Sequence, residues 1–534
     1  MKIIIVGGGS SGWMTASWLN KFIPNSDITV LESPSVPRIG VGESVTIHIK
    51  EFLRVLDIDE TQFMFETGSV YKYGNNFINW FEGKGEWENF TFGWNKSREQ
   101  LLRSPYHGVN WDDHRAVSAD GIRFTDYWLE LFDKGQVDRS FTHSYTCWHH
   151  FTEPNLAPYI GNEPFLPPED LAWAYHINTE KFADYLHTRV AGPRGVKSKI
   201  AHISSVNTNN DKIEKLILES GEEMTADLYV DCSGFHRVLI NKFENEWKWY
   251  NDWPGDSAYV CQLDYIDPAV EMVNYTKSIA MDYGWVFDIS LYHRRGTGYI
   301  FSNDFVSDDD VLKEYAEKIL TKPKFTPKKL KWDKKRMRKP GFGNVVAIGM
   351  TAGFVEPMEA NMLGVISNCA WELTHTLEAH NFNTSNIDWA TYNDRVGYTF
   401  DDVADFILVH YTLSSRTDTP FWNEMRSIGE KLNHKQLIID KYLDPKNTID
   451  GASRAEGFFP DFMWLELAAA WHLDLSNWPR KQVDPDEVAL AKAHFEYLNL
   501  NSKVASKQFQ NNYEFLKKYR FNNMSSAEWL DKKL

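Results

Sequence analysis

Cysteine is scarce in this chain: there are four in 534 residues, Cys147, Cys232, Cys261 and Cys369. None is spaced as Cys-x-x-Cys, which excludes a disulfide framework and the common zinc spacings and leads us to expect a reducing, cytoplasmic setting. Long apolar runs are missing as well. No stretch reaches the roughly eighteen residues needed to span a bilayer, and the single lysine and short apolar run before the first glycines read as a strand, not a signal peptide. Positive charge is in deficit, with 57 Lys and Arg against 74 Asp and Glu and a formal net charge of −17. That balance speaks against general nucleic-acid binding and against an anionic membrane surface. Internal repeats and low-complexity tracts are absent. So is a second dinucleotide fingerprint: Gly341-Phe-Gly343-Asn344 precedes a strand instead of following one and reads as a loop, so nothing in the chain reads as a nicotinamide site.

Aromatic residues are abundant, at 15% of the chain with 21 Trp. Many belong in cores, but such rings also line pockets for flat ligands. The first motif is at the N-terminus. Ile3 to Val6 are apolar and mostly β-branched, as in a strand buried on both faces. Gly7, Gly9 and Gly12 then fit Gly-x-Gly-x-x-Gly, with Ser10 and Ser11 between them. Glycines there permit a tight turn, close approach of backbone to a pyrophosphate, and close helix packing. Trp13 to Asn20 continues as a helix whose N-terminus would face the phosphates. A second strand, Ile28 to Leu31, ends at Glu32, at the spacing expected of an acid that binds ribose hydroxyls. The ordinary alternative for the glycines alone is a Gly-rich loop; strand, helix, second strand and acid together favour a dinucleotide.

Further along, Gly40-Val41-Gly42-Glu43-Ser44 is a second glycine-bearing loop, which on spacing alone is equally well a turn. Residues 63–180 are rich in Trp, Tyr, Phe and His and read as an insertion that builds a pocket. Residues 196–230 alternate apolar and polar around Asn-Asp and Ser-Gly turns, as β-hairpins do. Ala226 to Asp231 reads as a buried strand that ends in a turn at Cys232-Ser233-Gly234 and returns to the first sheet, and Asn344 to Gly349 as another strand, with a helix able to start at Ala352. Residues 258–305 read as further strands, the Lys/Arg-rich run 323–340 as a solvated face or loop, and residues from 365 onward as mainly helical. His107, His143, His149 and His150 form no metal-ligand pattern, and no metal is expected.

Several of these segments resemble the flavin-dependent halogenases, in particular the tryptophan halogenase family, its phage-encoded members among them. The resemblance rests on the Gly7/Gly9/Gly12 loop, Gly40 to Ser44, Val70-Tyr71-Lys72 with Phe77 to Trp80, Ala174-Tyr175-His176, Asp231 to Phe235, and Gly353-Phe354-Val355-Glu356-Pro357-Met358-Glu359. Asp405-Phe406, His410-Tyr411, Arg416 and Pro420 to Trp422 add to it. It covers most of residues 1–425 and is sparse afterwards. It implies an α/β fold: an FAD-binding Rossmann-like domain of the flavin monooxygenase type with a mixed sheet and a largely helical, pyramid-like substrate region. The implied layout is a halogenase module over 1–425, with 1–62, 170–240 and 335–375 binding the nucleotide and insertions 63–169 and 241–334 lining the substrate side. A helical region over 426–534 caps the substrate.

The implied activity is two-component. A separate NAD(P)H flavin reductase supplies reduced FAD, oxygen forms a C4a-hydroperoxide on it, and halide attacks to give hypohalous acid. That acid reaches a lysine, and an electron-rich aromatic substrate is halogenated with help from a carboxylate. Lys72 matches the lysine, although a strand lysine read on its own is ordinarily a surface residue. Glu359 matches the catalytic glutamate; on its own it reads as a helix-terminal acid. Glu356, beside Pro357, reads as structural. Gly349, Phe354 and Val355 join the expected FAD contacts, with Gly7, Gly9, Ser10, Ser11, Gly12, Glu32, Gly40, Gly42, Glu43 and Ser44.

Departures from the family pattern matter as much. The family's Gly-Trp-x-Trp-x-Ile-Pro is here Gly284-Trp285-Val286-Phe287-Asp288-Ile289-Ser290, with Phe287 and Ser290 in place of Trp and Pro; alone, the stretch is a strand with core aromatics. The family's Glu-Ser-Thr-Gly is here Glu359-Ala360-Asn361-Met362. Asn361 and Met362 stand where the family binds halide, and the Met362 thioether adds a polarizable atom, from which a preference for bromide or iodide over chloride is expected. The aromatic run Gly457 to Trp464, with Trp471 and His472, reads as pocket or, at least as readily, as helical core. Two alternatives stay open: an FAD-dependent aromatic hydroxylase, which shares the fold but has no need of Lys72, and a nucleotide-binding protein without catalysis. Homo-oligomerisation is compatible with the sequence, which defines no interface.

Overall fold

The computed structural model describes residues 1–23, 25–36, 43–46, 48–81, 124–144, 149–161, 163–164, 173–447 and 457–533. Gly40, Gly42, His107 and Cys147 lie outside the described residues. The chain divides into two compact units, one of residues 1–69, 176–251 and 331–404, the other of 70–175, 252–330 and 405–534.

The first unit is built on a six-stranded sheet in the order Gly341–Phe342, Val345–Ala347, Leu228–Asp231, Lys2–Val6, Asp27–Glu32, Lys197–Ile200. The five longer strands are parallel. Lys2–Val6 is central, with Ile3, Ile4 and Ile5 fully buried, as expected of a strand covered on both faces. From it the chain builds outward on one side through 27–32 and 197–200, and on the other through 228–231 and 345–347. The order therefore reverses beside the first strand, and ligands bind in the crevice at the carboxyl ends there. Helices Ser10–Phe22 and Met362–Ala379 pack on one another through Trp18 and Trp371, whose ring centres are 5.7 Å apart. A hairpin of Ile203–Asn209 and Lys212–Leu218, with the short strand Glu223–Met224, forms a separate antiparallel sheet.

Two local expectations change. Gly341–Phe342 is a two-residue edge strand, antiparallel to 345–346, because Gly343 at φ +53° turns the chain back. The helix does not start at Ala352. A one-turn 3-10 segment at Gly349–Thr351 is followed by the strand Gly353–Phe354, a turn at Met358–Ala360, and only then the helix at Met362. Gly353 pairs with Arg336 and Pro357 follows, so the backbone between them is committed to sheet and turn. The run 323–340 likewise contains strands, Lys328–Lys331 and Lys335–Met337, with several of its lysines exposed.

The second unit holds a sheet in the order Lys328–Lys331, Ser257–Leu263, Arg294–Phe301, Gly284–Leu291, Thr276–Met281, Asn75–Ile78. The strands 257–263, 294–301, 284–291 and 276–281 pair antiparallel, and 75–78 runs parallel to 276–281. Helix Asp308–Lys318, capped by Ser307 on the Asp310 N–H, seals one face. Val311 and Tyr315 of that helix pack with Tyr259, Val286, Tyr299 and Phe301. Helices follow toward the C-terminus, among them Pro420–Leu432, Asp461–Ala470 and Pro485–Ser506.

Candidate active site

The glycine loop divides its labour by position. Gly7 has φ +124°, and a Cβ there would run into the Cys232 carbonyl of the neighbouring strand end; at Gly12 it would run into the Gly7 carbonyl. These two glycines serve close packing. Gly9 is different: nothing lies within 4 Å of where its Cβ would stand. It caps the helix Ser10–Phe22 without a side-chain bond, so the cap offers the first-turn N–H groups no acceptor of its own, the setting that favours a phosphate. The Glu32 carboxylate lies against Gly8, at the end of the second strand. A free-standing backbone cradle with an acid beside it fits a dinucleotide.

Three segments converge on that cradle. Ser11 Oγ donates to the Ile348 carbonyl at 3.4 Å, and Gly349, at φ +67°, has Ser11 and Ile366 where a Cβ would stand. Ser10 Oγ donates to Thr179 O at 3.2 Å. Asp231, fully buried, organises the third segment. Its Oδ1 accepts from Ser233 N–H and Oγ, and its Oδ2 from the Leu239 and Ile240 N–H groups at 2.8 and 2.9 Å. Burial raises its carboxyl above the usual range even against those four bonds. Asp231 was legible only as part of a motif; an Asp at a strand end with Ser-Gly two residues on is the signal for an Asx-type loop organiser. Phe354 sits edge-on to Phe235 and Trp332, with ring centres 5.7 and 5.6 Å away, and the Val355 carbonyl accepts from Trp332 Nε1 at 2.9 Å. Glu43 and Ser44 form a short strand paired antiparallel with Ile177 and His176. Burial pushes the Glu43 carboxyl up to about 7.

The turn before helix Met362–Ala379 is strained. Glu359 has φ +61° and Ala360 φ +55°. Two successive non-glycine residues in the left-handed region cost roughly 1–2 kcal/mol each, and such outliers persist where the surroundings over-determine them. Glu359 is 4% exposed. Asn361 is buried, and its Nδ2 donates to Met358 O at 2.8 Å instead of capping the helix. The cap thus gives the first-turn N–H groups that begin at Met362 no side-chain acceptor.

In the second unit, Lys72 ends the strand Val70–Lys72 and is 0% exposed, with Tyr71 and Tyr73 on either side equally buried. The surface lysine suggested by the residue type alone is not what the fold makes. Tyr71 is held by Arg520, whose Nε donates to its hydroxyl at 2.8 Å. Trp285 is buried in the strand 284–291, and Phe287 lies over Gly298, where no Cβ would fit. Ser290 accepts from the Val273 N–H at 3.1 Å, a bond its hydroxyl makes where the family carries proline. Asp288 forms a two-pronged pair with Arg295, which also reaches Glu271 at 2.6 Å. Phe458, Phe459 and Trp464 are core: Phe459 stacks on Phe406 at 3.8 Å and Trp464 meets it edge-on. Trp471 is buried too and joins Phe77, Trp80, Phe81 and His410, with ring centres 5.1–5.4 Å away.

Residues 2–473 match the tryptophan halogenase family. This chain belongs to that family. The tryptophan 7-halogenase RebH of Lentzea aerocolonigenes is 31% identical over 455 residues, covering 83% of this chain and 81% of its own. Among solved structures, a tryptophan halogenase from Shewanella frigidimarina superposes with a TM-score of 0.82 at 25% identity, over 98% of both chains. BrvH, a flavin-dependent halogenase from Brevundimonas sp., gives 0.78 at 26% identity over 97% of this chain and 99% of that one. The α/β fold with mixed sheets and a helical C-terminal region is that of these halogenases, and the chain is a flavin-dependent halogenase acting on an aromatic substrate. No group of His, Cys, Asp and Glu among the described residues could hold a metal, and no described helix is long and apolar enough to cross a membrane.

Proposed function

We propose that this halogenase takes reduced FAD from a separate NAD(P)H-dependent flavin reductase, uses bromide or iodide ahead of chloride, and acts on a phenol, indole or other electron-rich arene in a reducing cytoplasm. Reduced FAD, once bound, supplies with O₂ the two-electron oxidation that turns halide into hypohalous acid. The chain's own residues do the rest. Gly9 and the first turn of helix Ser10–Phe22 take the pyrophosphate, and Glu32 takes the ribose. Asn361 and Met362 offer N–H groups and the positive end of an 18-residue helix to the halide. The Met362 thioether, where the family carries glycine, suits a large, soft anion.

Glu359 stabilises the cationic ring intermediate and accepts its proton. Lys72 captures or hydrogen-bonds hypohalous acid; its burial between two tyrosines keeps that reagent from bulk water. The observation that carries the reading is the strained pair Glu359–Ala360, because strain of that kind is kept where a side chain must be held at one spot.

The test is a mass-spectrometric assay of the protein with FAD, a flavin reductase, NADH, O₂ and a panel of arenes. Chloride, bromide and iodide are present in equal amounts, with catalase and Lys72→Ala controls. Brominated or iodinated product that survives catalase and disappears in Lys72→Ala is expected. Dominant chlorination ends the halide proposal. Hydroxylated product, or equal yield from the lysine variant, replaces the mechanism with a hydroxylase or with free hypohalite.

A further inference from the structure

Of the exposed large hydrophobic side chains among the described residues, the aromatic ones are Phe235, 41% exposed, and Trp249, 49% exposed. Both belong to one surface of the first unit. Strand Trp247–Trp249 pairs with Lys335–Met337, which pairs with Gly353–Phe354. The register sets Trp249 opposite Lys335, and Lys335 opposite Phe354. Residues directly opposite share a face, and Trp247, two positions from Trp249, shares it too. The Lys335 ammonium lies 4.8 Å from the Trp247 ring centre and 4.4 Å from that of Trp249. The Arg237 guanidinium lies over Trp247 at 4.7 Å and over Phe235 at 5.8 Å. Phe235 in turn meets Phe354.

The result is a row of rings and cations, exposed at Phe235 and Trp249 and half-buried at Arg237, Trp247 and Lys335, that ends at Phe354, in the segment that follows Gly349. Arg237 Nε also donates to Thr351 O at 3.2 Å, which ties the row to the turn at Gly349. On the other face of the same strands, Lys248 and Arg336 are both engaged by Asp401. Lys335 is shared with Asp333 at 2.6 Å, so the row's positive charge is modest and its flat surfaces matter as much.

We propose that this row is an encounter site for the reduced flavin dinucleotide, where its rings stack and its pyrophosphate meets Arg237 and Lys335 before the molecule passes to the glycine cradle. The inference rests on the FAD reading above. A ligand carrying a pyrophosphate is repelled by a chain of net charge −17, and a local track of cations and rings offsets that repulsion where it matters. Base–aromatic stacking tolerates either the flavin or the adenine end. A docked reductase would need the same residue types, but the alternation of ring and cation, close to the open cradle, matches the flat, anionic ligand itself.

The experiment is anaerobic stopped-flow binding of chemically reduced FAD to the full chain, followed by tryptophan fluorescence. Wild type, Trp249→Ala/Lys335→Gln and the opposite-face control Lys248→Gln are compared from ~20 to ~500 mM salt, over which screening becomes severe. Expected is a fall of about 5–10-fold in association rate for the double variant at low salt, a shallower salt dependence, and wild-type behaviour in the control. Identical rates and salt slopes in the double variant and wild type overturn the encounter site while leaving the FAD reading intact. Unchanged rates with free flavin but slower reductase-coupled turnover reassign the row to the reductase and also overturn it. Absence of any saturable flavin binding by wild type removes the FAD reading, and the encounter site with it.

Discussion

The three glycines of the N-terminal loop look equivalent in sequence and are not equivalent in the fold, so alanine at each should give opposite outcomes. At Gly9 the backbone has φ −83° and ψ −170°, which alanine adopts, and its Cβ meets nothing within 4 Å. Gly9→Ala should therefore leave stability within about 1 kcal/mol of wild type, the smaller unfolded-state entropy being set against alanine's poorer fit at a helix N-cap. Its methyl group would occupy the space a pyrophosphate needs. Losing one charge-assisted N–H bond, about 1.5–3 kcal/mol, weakens FAD roughly 10–100-fold. Gly7→Ala faces the reverse. The φ of +124° and the Cys232 carbonyl in the path of the Cβ combine strain of roughly 1–2 kcal/mol with overpacking of roughly 1–3 kcal/mol. Gly12→Ala collides with the Gly7 carbonyl and should lose at least the overpacking part. Urea denaturation of the apoprotein and fluorescence titration with FAD read the two effects separately. Wild-type FAD affinity in Gly9→Ala, or wild-type stability in Gly7→Ala, would refute the assignment of roles.

Ala360→Gly should relieve left-handed strain by about 1 kcal/mol net of unfolded-state entropy, yet slow turnover because Glu359 is then less well held; a variant both less stable and equally active would contradict this. Asp288→Ala leaves the buried Arg295 with Glu271 alone and should cost about 3 kcal/mol, measured as a lower denaturation midpoint with the m-value unchanged. Burial raises the Glu43 carboxyl from the ordinary 4.5 to about 7 in the fold. A raised folded value means its contribution to stability is present below pH 4.5 and lost as pH rises through 7. Glu43→Gln should accordingly raise the melting temperature at pH 8, by up to about 3 kcal/mol of stability, and change little at pH 4; an equal shift at both pH values would rule out titration as the cause.

Short-range pattern carried much of this molecule. Four apolar residues before Gly7, and Glu32 at the end of the next apolar run, are constraints acting within about thirty residues, and they predict the first parallel pair directly. Leu228–Asp231 and Val345–Ala347 were legible for the same reason: a strand buried on both faces is mostly apolar. The family likeness brought Lys72 and Glu359 into view, but not their circumstances. Lys72 is fully buried in the strand whose Tyr71 is held by Arg520 from far along the chain, and no local signal marks a strand lysine as interior. The left-handed turn at Glu359 and Ala360 contradicts the preference of both residue types, so only the surrounding packing could impose it. The helix was expected at Ala352 because that stretch is compatible with helix; it starts at Met362 because Gly353 and Phe354 find strand partners in Lys335 and Arg336. Local spacing thus determined which segments could form the cradle, while burial, strain and the company each side chain keeps depend on contacts between distant residues, which only the folded chain brings together.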